Sequence, residues 1–253
     1  MTAVLWHIEL SHYNEKARWA LDYKGVPYER KVPMPGLHGP VALALTRGRQ
    51  RRLPILKLGG RMIGDSTDII AALEEHTPEP ALYPADPAER AHALELEDYF
   101  DEDLAPEIRR FGWHHMLNEP DAVAKALFRG QSPGRERILR LSFPAARAMT
   151  RADYSIDPDT DAVPRAAILA AMDRLEAELD GGEYLVGDSF SVADLTAASL
   201  FTPIVRPPER PFLPEAVLPA LEQFGDELMA RPGGQWILNM YRRHRGVYAG
   251  VPA

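Results

Sequence analysis

The chain of 253 residues contains no cysteine. That excludes structural disulfides, thiolate-bound zinc and any sulfur nucleophile of the protein's own, and leaves cysteine usage silent about the redox compartment. Long apolar runs are missing too: no stretch approaches the roughly 20 apolar residues a membrane-spanning helix needs. The N-terminus, M-T-A-V-L-W-H-I-E-L, has no basic leader before an apolar core, and Glu9, Glu15, Lys16 and Arg18 interrupt any such segment. A cytoplasmic protein without membrane contact is the expectation. Positive charge is in deficit: 29 Lys and Arg against 37 Asp and Glu give a formal net charge of −8. Such a balance argues against nucleic acid and anionic membranes as partners. There is no H-E-x-x-H, Walker loop or Gly-rich dinucleotide fingerprint. His114 and His115 are adjacent, so on a helix they point about 100° apart and cannot chelate one metal together. Neither a metal nor a nucleotide cofactor is expected.

What is present reads as an ordinary globular chain, 45% hydrophobic and 26% charged. Its length suits one large domain or two modest ones. Alternation predicts a strand over Ala3–Glu9, with Val4, Trp6 and Ile8 on one face. Helical spacing of Ala17, Ala20 and Leu21 predicts a helix over Glu15–Lys24, stopped by Gly25. A second strand over Pro27–Val32 completes a βαβ unit. Residues 34–50 are irregular, with a weak helical pattern from Val41 to Leu45. Ile55–Leu58 and Arg61–Ile63 flank Gly59-Gly60, a hairpin signal, and Ser66–His76 reads as a helix.

Composition shifts after Thr77. Pro78, Pro80, Pro84 and Pro87 crowd one short segment, which reads as a linker. Beyond it the pattern is helical. Ala88–Asn118 is long and amphipathic, with Pro106 placed to kink it. Further helices are predicted over Ala122–Arg129, Arg135–Met149, Pro164–Leu179, Val192–Phe201, Leu218–Ala230 and Gly234–Arg243, with a proline-rich loop from Thr202 to Leu218. The boundaries follow: 1–77, a linker over 78–87, and an all-helical domain over 88–253. The fold class is α/β plus all-α.

Two pairs carry the most chemical information. Pro54 opens a strand and cannot donate to a ladder, which leaves neighbouring backbone free for an extended ligand. Asp65-Ser66 stands at a helix start, where backbone N–H groups and the helix dipole attract an anion. Both residues are also favoured as plain caps. S-V-A-D at 191–194 reads as a capping box, a stabilising feature.

S-H-Y-N-E-K-A-R-W-A-L (11–21), L-P-I-L (53–56), G-D-S-T-D-I-I (64–70) and Y-L-V-G-D-S-F-S-V-A-D-L (184–195), in this order, resemble the cytosolic glutathione S-transferase superfamily, in a serine-type, bacterial-like form. R-P-G-G-Q-W (231–236) resembles its last helical region. The resemblance covers essentially the whole chain. It implies a thioredoxin-like βαβ-ββα domain binding glutathione as cosubstrate, and a helical domain holding a hydrophobic small-molecule electrophile, in a detoxifying homodimer.

It also implies roles. Leu53 would hold the cysteinyl backbone, with Pro54 in the cis form. Asp65 and Ser66 would take the γ-glutamyl end through its ammonium and carboxylate. Ser11 would face the sulfur and stabilise the thiolate, with Tyr13 as the other candidate. Gln50, Arg51 or Arg52, within R-G-R-Q-R-R, could meet the glycyl carboxylate, although charge runs are usually solvated faces. Tyr99, Phe100, Arg109, Trp113 and His114 are candidates to line the electrophile pocket. Ser11 and Asn14 stand where redox relatives carry C-x-x-C, so thiol–disulfide exchange through the protein's own sulfur is excluded. The same thiol site serves conjugation, isomerisation, dehalogenation or ether cleavage; a non-catalytic binding protein on this fold is the alternative from another class. A glutathione analogue is a further possibility for the thiol.

Overall fold

The computed structural model describes residues 2–34, 36–119, 132–214, 217–246 and 251–252. The helix expected over Ala122–Arg129 lies outside them.

At the centre of the sheet, β1 (Ala3–Trp6) pairs in parallel with β2 (Tyr28–Lys31) and antiparallel with β3 (Ile55–Leu58). The last strand turns through Gly59-Gly60 into β4 (Arg61–Gly64). Both turn glycines have positive φ, 56° and 85°, which side chains disfavour. Helix α1 (His12–Tyr23) makes the crossover between β1 and β2, and α3 (Ser66–His76) follows β4. The core-facing residues of β1 are Ala3 and Leu5; the expected face, Val4 and Trp6, is half-buried. Trp6 and Ile8 instead pack with Ala42, Leu53 and Ile55 beneath α2 (His38–Thr46). Helix α1 begins three residues earlier than its apolar period suggests, because Ser11 caps it.

The sheet order is β4-β3-β1-β2-β5. The edge strand β5 (Val251–Pro252) comes from the far end of the chain and runs parallel to β2, Glu29 opposite Val251. Two residues carry no periodicity, so this return was not foreseen.

The helical region opens at α4 (Pro87–Tyr99), capped by Asp86, whose carboxylate accepts from the Ala88 and Glu89 N–H groups. The single helix expected to Asn118 is broken by a π-turn, Phe100–Leu104, before α5 (Ala105–Asn118). Pro106 is the cause: it brings no N–H for the Glu102 carbonyl, and its ring crowds that position. Then come α6 (Pro133–Asp153), α7 (Ala162–Leu179), α8 (Val192–Leu200), α9 (Thr202–Val205), α10 (Pro219–Met229) and α11 (Pro232–His244). The short α9 occupies the start of the stretch expected as loop, and Arg206, at φ 53°, ends it. Asp194 acts as expected of a cap: its carboxylate accepts from Ser191 N–H, Ser191 Oγ and Leu185 N–H at 2.8–2.9 Å. Burial raises its pKa to about 6.

One continuous core joins the two regions, with α1 as the shared element. Trp19 is buried against Phe190 and Tyr241, and its indole N–H donates to the His244 carbonyl at 3.0 Å. Arg245 bonds Glu15 and Asp22, each at 2.8 Å. Lys16 bonds Glu97 at 2.8 Å and Asp101 at 2.5 Å.

Candidate active site between the two regions

The ladder between β1 and β3 ends at Trp6 opposite Ile55, so Leu53 lies just beyond the last paired residue. The Leu53–Pro54 bond is cis. Ser11 ends the β1–α1 loop and is the N-cap of α1.

Asn14 joins these two segments. Its side chain is fully buried, and all of its hydrogen-bonding groups find partners at this site. The amide oxygen accepts from Ile8 N–H at 3.1 Å; the amide nitrogen donates to Ser11 Oγ at 2.7 Å and to the Leu53 carbonyl at 3.2 Å. Ser11 Oγ is thereby engaged as an acceptor. Its hydroxyl hydrogen remains for a third group, and a half-buried position leaves room for one.

Asp65 caps α3, its carboxylate accepting from Thr67 N–H at 3.0 Å. It does so at φ 73°, a conformation that non-glycine residues pay to adopt and that clusters at ligand sites. Ser66 follows, buried in the first turn. Thr67 ties this helix start to the π-turn: its hydroxyl donates to Asp101 at 2.7 Å and accepts from Lys16 at 3.0 Å. Asp101 had no sequence signal beyond the neighbouring Pro106.

Tyr13 is occupied elsewhere. Its hydroxyl donates to the Asp101 carbonyl at 2.9 Å, and burial pushes its pKa far above the usual phenol value. His12 is buried, with Nε2 donating to the Ala105 carbonyl at 3.1 Å. Burial, then the Arg109 and Arg210 charges, lower its pKa to about 3, so it is neutral. Arg210, from the proline-rich loop after α9, donates to the Leu10 carbonyl at 2.8 Å, directly before Ser11.

The other candidates divide. Arg109 lies on α5 facing α1: its guanidinium is 5.8 Å from the Tyr13 ring and 4.4 Å from the ring of Tyr154, which follows α6. Arg52 approaches the same Tyr154 ring at 5.9 Å. Tyr154 was missed, because the helical pattern read from sequence stops at Met149. Trp113 sits one turn beyond Arg109, half-buried on the same helix face. Gln50 folds over Gly64, where a side chain would collide with it. Tyr99 packs on Phe100 and under the Arg174 guanidinium of α7. Phe100 is wholly buried in the core. His114 and His115 bond separate groups, the Asp157 carbonyl and the Asp161 carboxylate. Among the described residues, no cluster of three or more His, Asp or Glu is placed to hold a metal, and no helix is long and apolar enough to cross a membrane.

Residues 5–81 match the model of the glutathione S-transferase N-terminal domain, and residues 148–232 that of the C-terminal domain. The chain belongs to the glutathione S-transferase superfamily. Solved glutathione S-transferase folds align along nearly its whole length. The beta-etherase LigF from Sphingobium sp. strain SYK-6 is 23% identical with a TM-score of 0.63, covering 94% of this chain and 99% of its own. Glutathione transferase GSTFuA3 from Phanerochaete chrysosporium is 17% identical at TM-score 0.64, covering 98% of each chain. A glutathione S-transferase from Methylobacterium radiotolerans, solved with glutathione sulfonate, is 23% identical at TM-score 0.54, covering 93% of each. No curated protein sequence matches the chain. At these identities the likeness establishes the shared thioredoxin-like and helical fold.

Proposed function

We propose that this glutathione S-transferase binds glutathione along Leu53, Asp65 and Ser66, ionises its thiol beside Ser11, and adds the thiolate to an electrophile held against α5. The observation that carries this reading is the Asn14 bridge, which locks Ser11 Oγ and the Leu53 carbonyl to one buried amide.

A peptide cosubstrate running past Leu53 meets main-chain groups outside the sheet ladder. Its γ-glutamyl carboxylate meets the start of α3, where unpaired N–H groups and the helix dipole favour negative charge. Asp65 supplies the opposite charge for the ammonium. The Ser11 hydroxyl, already accepting from Asn14, donates to the sulfur. Hydrogen bonding to the charged form, together with the N-terminus of α1, lowers a thiol pKa from about 8.5 by about one or two units. The thiol proton passes to solvent. The thiolate then attacks carbon: an S–C bond forms, and the bond to the leaving group breaks with its electron pair. Holding both reactants in one cleft supplies the rest by proximity. Arg52 serves the glycyl end, and Tyr13 acts in this reading as an interdomain latch. A cytoplasmic two-fold dimer completes the proposal, to be measured by light scattering.

The test compares native protein with Ser11→Ala on immobilised glutathione and by the ultraviolet absorbance of the bound thiolate. Retention by both, with the thiol pKa raised in Ser11→Ala, is expected. No retention by the native chain sinks the glutathione reading; an unchanged pKa removes Ser11 from it. Product analysis with aryl halides, enones and aryl ethers then separates conjugation from ether cleavage, which uses the same thiolate.

A further inference from the structure

Arg109 is half-buried on α5 and has no carboxylate partner among the described residues. Lys16, Arg18 and Arg245 each bond carboxylates. Arg109 forms no ion pair with a described residue, and neither does Arg52 across the cleft. The Nε of Arg109 is buried without a hydrogen-bond partner. A buried donor without a partner is destabilising; the buried Arg210, also without an acid, directs its charge at the Leu10 carbonyl. The charge of Arg109 reaches the thiol-activating loop, being the foremost of the charges that depress the pKa of His12.

Beside it stands a fixed aromatic wall. Tyr154 N–H donates to the Thr150 carbonyl at 3.1 Å, and the Tyr154 carbonyl accepts from Arg110 Nε at 3.0 Å. Arg110 is in turn held by Glu107 at 2.5 Å. The backbone of Tyr154 is thus held, with its ring centroid 4.4 Å from the Arg109 guanidinium and 5.9 Å from that of Arg52.

We infer, on the footing of the glutathione site proposed above, that this cleft selects an aromatic electrophile carrying a carboxylate, with Arg109 binding the acid and Tyr154 stacking on the ring. Guanidinium pairs with carboxylate through two parallel N–H donors, a geometry that a neutral group cannot use. Arg109 lies on α5, and Ser11 starts the helix that α5 faces through Tyr13. The acid end of the substrate thus sits against α5 while its reactive carbon is turned to the sulfur.

Calorimetric titration of the full chain with 3,5-dinitrobenzoate and with 3,5-dinitrobenzamide tests this without turnover. The native protein is expected to bind the carboxylate more tightly by about tenfold or more, the worth of a charge-assisted hydrogen bond. In Arg109→Gln that preference collapses towards equality; in Arg109→Lys, which keeps the charge without the fork, part of it survives. Tyr154→Leu weakens both probes. Saturating glutathione leaves the dinitrobenzoate affinity in place. Equal affinity of native protein for the two probes overturns the inference. So does competition by glutathione, which would assign the arginine to the tripeptide's own carboxylate. Failure of glutathione retention alongside an intact carboxylate preference counts against the thiol site alone.

Discussion

Asn14 Nδ2 lies 2.7 Å from Ser11 Oγ, and the same nitrogen reaches the Leu53 carbonyl 39 residues away in sequence. One amide thus sets both the hydroxyl proposed to face the sulfur and the backbone proposed to hold the peptide. Replacing Asn14 by Asp keeps an acceptor for Ile8 N–H but places a carboxylate against two oxygens. The bound thiol pKa is expected to rise and the glutathione affinity to fall by about tenfold or more, one lost charge-sensitive hydrogen bond at minimum. Spectroscopic titration of the thiolate reads both. An unchanged thiol pKa in this variant argues that the bridge is structural only.

Tyr13 and Ser11 are separated by a milder substitution. Tyr13→Phe deletes only the hydroxyl that bonds the Asp101 carbonyl. A loss of about 0.5–1.5 kcal/mol in stability is expected by denaturant unfolding, with a thiol pKa shift smaller than that of Ser11→Ala. The reverse order of the two shifts would put the phenol at the sulfur.

Lys16 is fully buried between Glu97 and Asp101. Lys16→Met leaves those acids without their cation, and a buried pair broken on one side costs about 3–5 kcal/mol. Adding Glu97→Gln should recover part of that loss, because the stranded charge is removed with its partner. Strict additivity of the two changes would show that they do not interact.

Acid sensitivity should trace to two histidines. Burial, reinforced by neighbouring arginines, lowers both His7 and His12 to about 3. Below the ordinary value of 6.5 the unfolded chain takes up protons that the native chain refuses. Their contribution is whole above pH 6.5 and is lost progressively as pH falls towards 3, at about 1.4 kcal/mol per pH unit for each histidine. His12→Gln should remove one histidine's share of that slope in urea midpoints measured across this window. An unaltered slope would mean that His12 does not titrate differently in the two states.

Much of this was legible in the chain because it is local. Caps, turns and periodicity fix their own neighbourhoods: α3 matches its expected span at both ends, and Gly59-Gly60 makes its hairpin. Asn14 was visible only as a residue that is not cysteine. Its task depends on Leu53, and no local pattern reports a contact across 39 positions. Pro106 announced a disturbance in the long helix, yet the π-turn it produces, and the delivery of Asp101 to Thr67, need the packed neighbour as well. The contacts of Tyr99 with Phe100 and Arg174 were hidden for the same reason. Spacing places a side chain on a helix face, and only packing says which neighbour that face meets. Tyr154 and Arg210 sit just outside regular elements, where periodicity is silent.

The return of the chain end to β2 has a mechanical consequence. With Val251 beside Glu29 and Arg245 clasped by Glu15 and Asp22, the C-terminal end of the helical region is fastened back onto β2 and α1. The seam between the lobes is thus closed twice, once by the shared core around α1 and once by the chain end. Cutting the chain before Val251 should therefore cost stability in the sheet that carries Leu53 as well as in the helices.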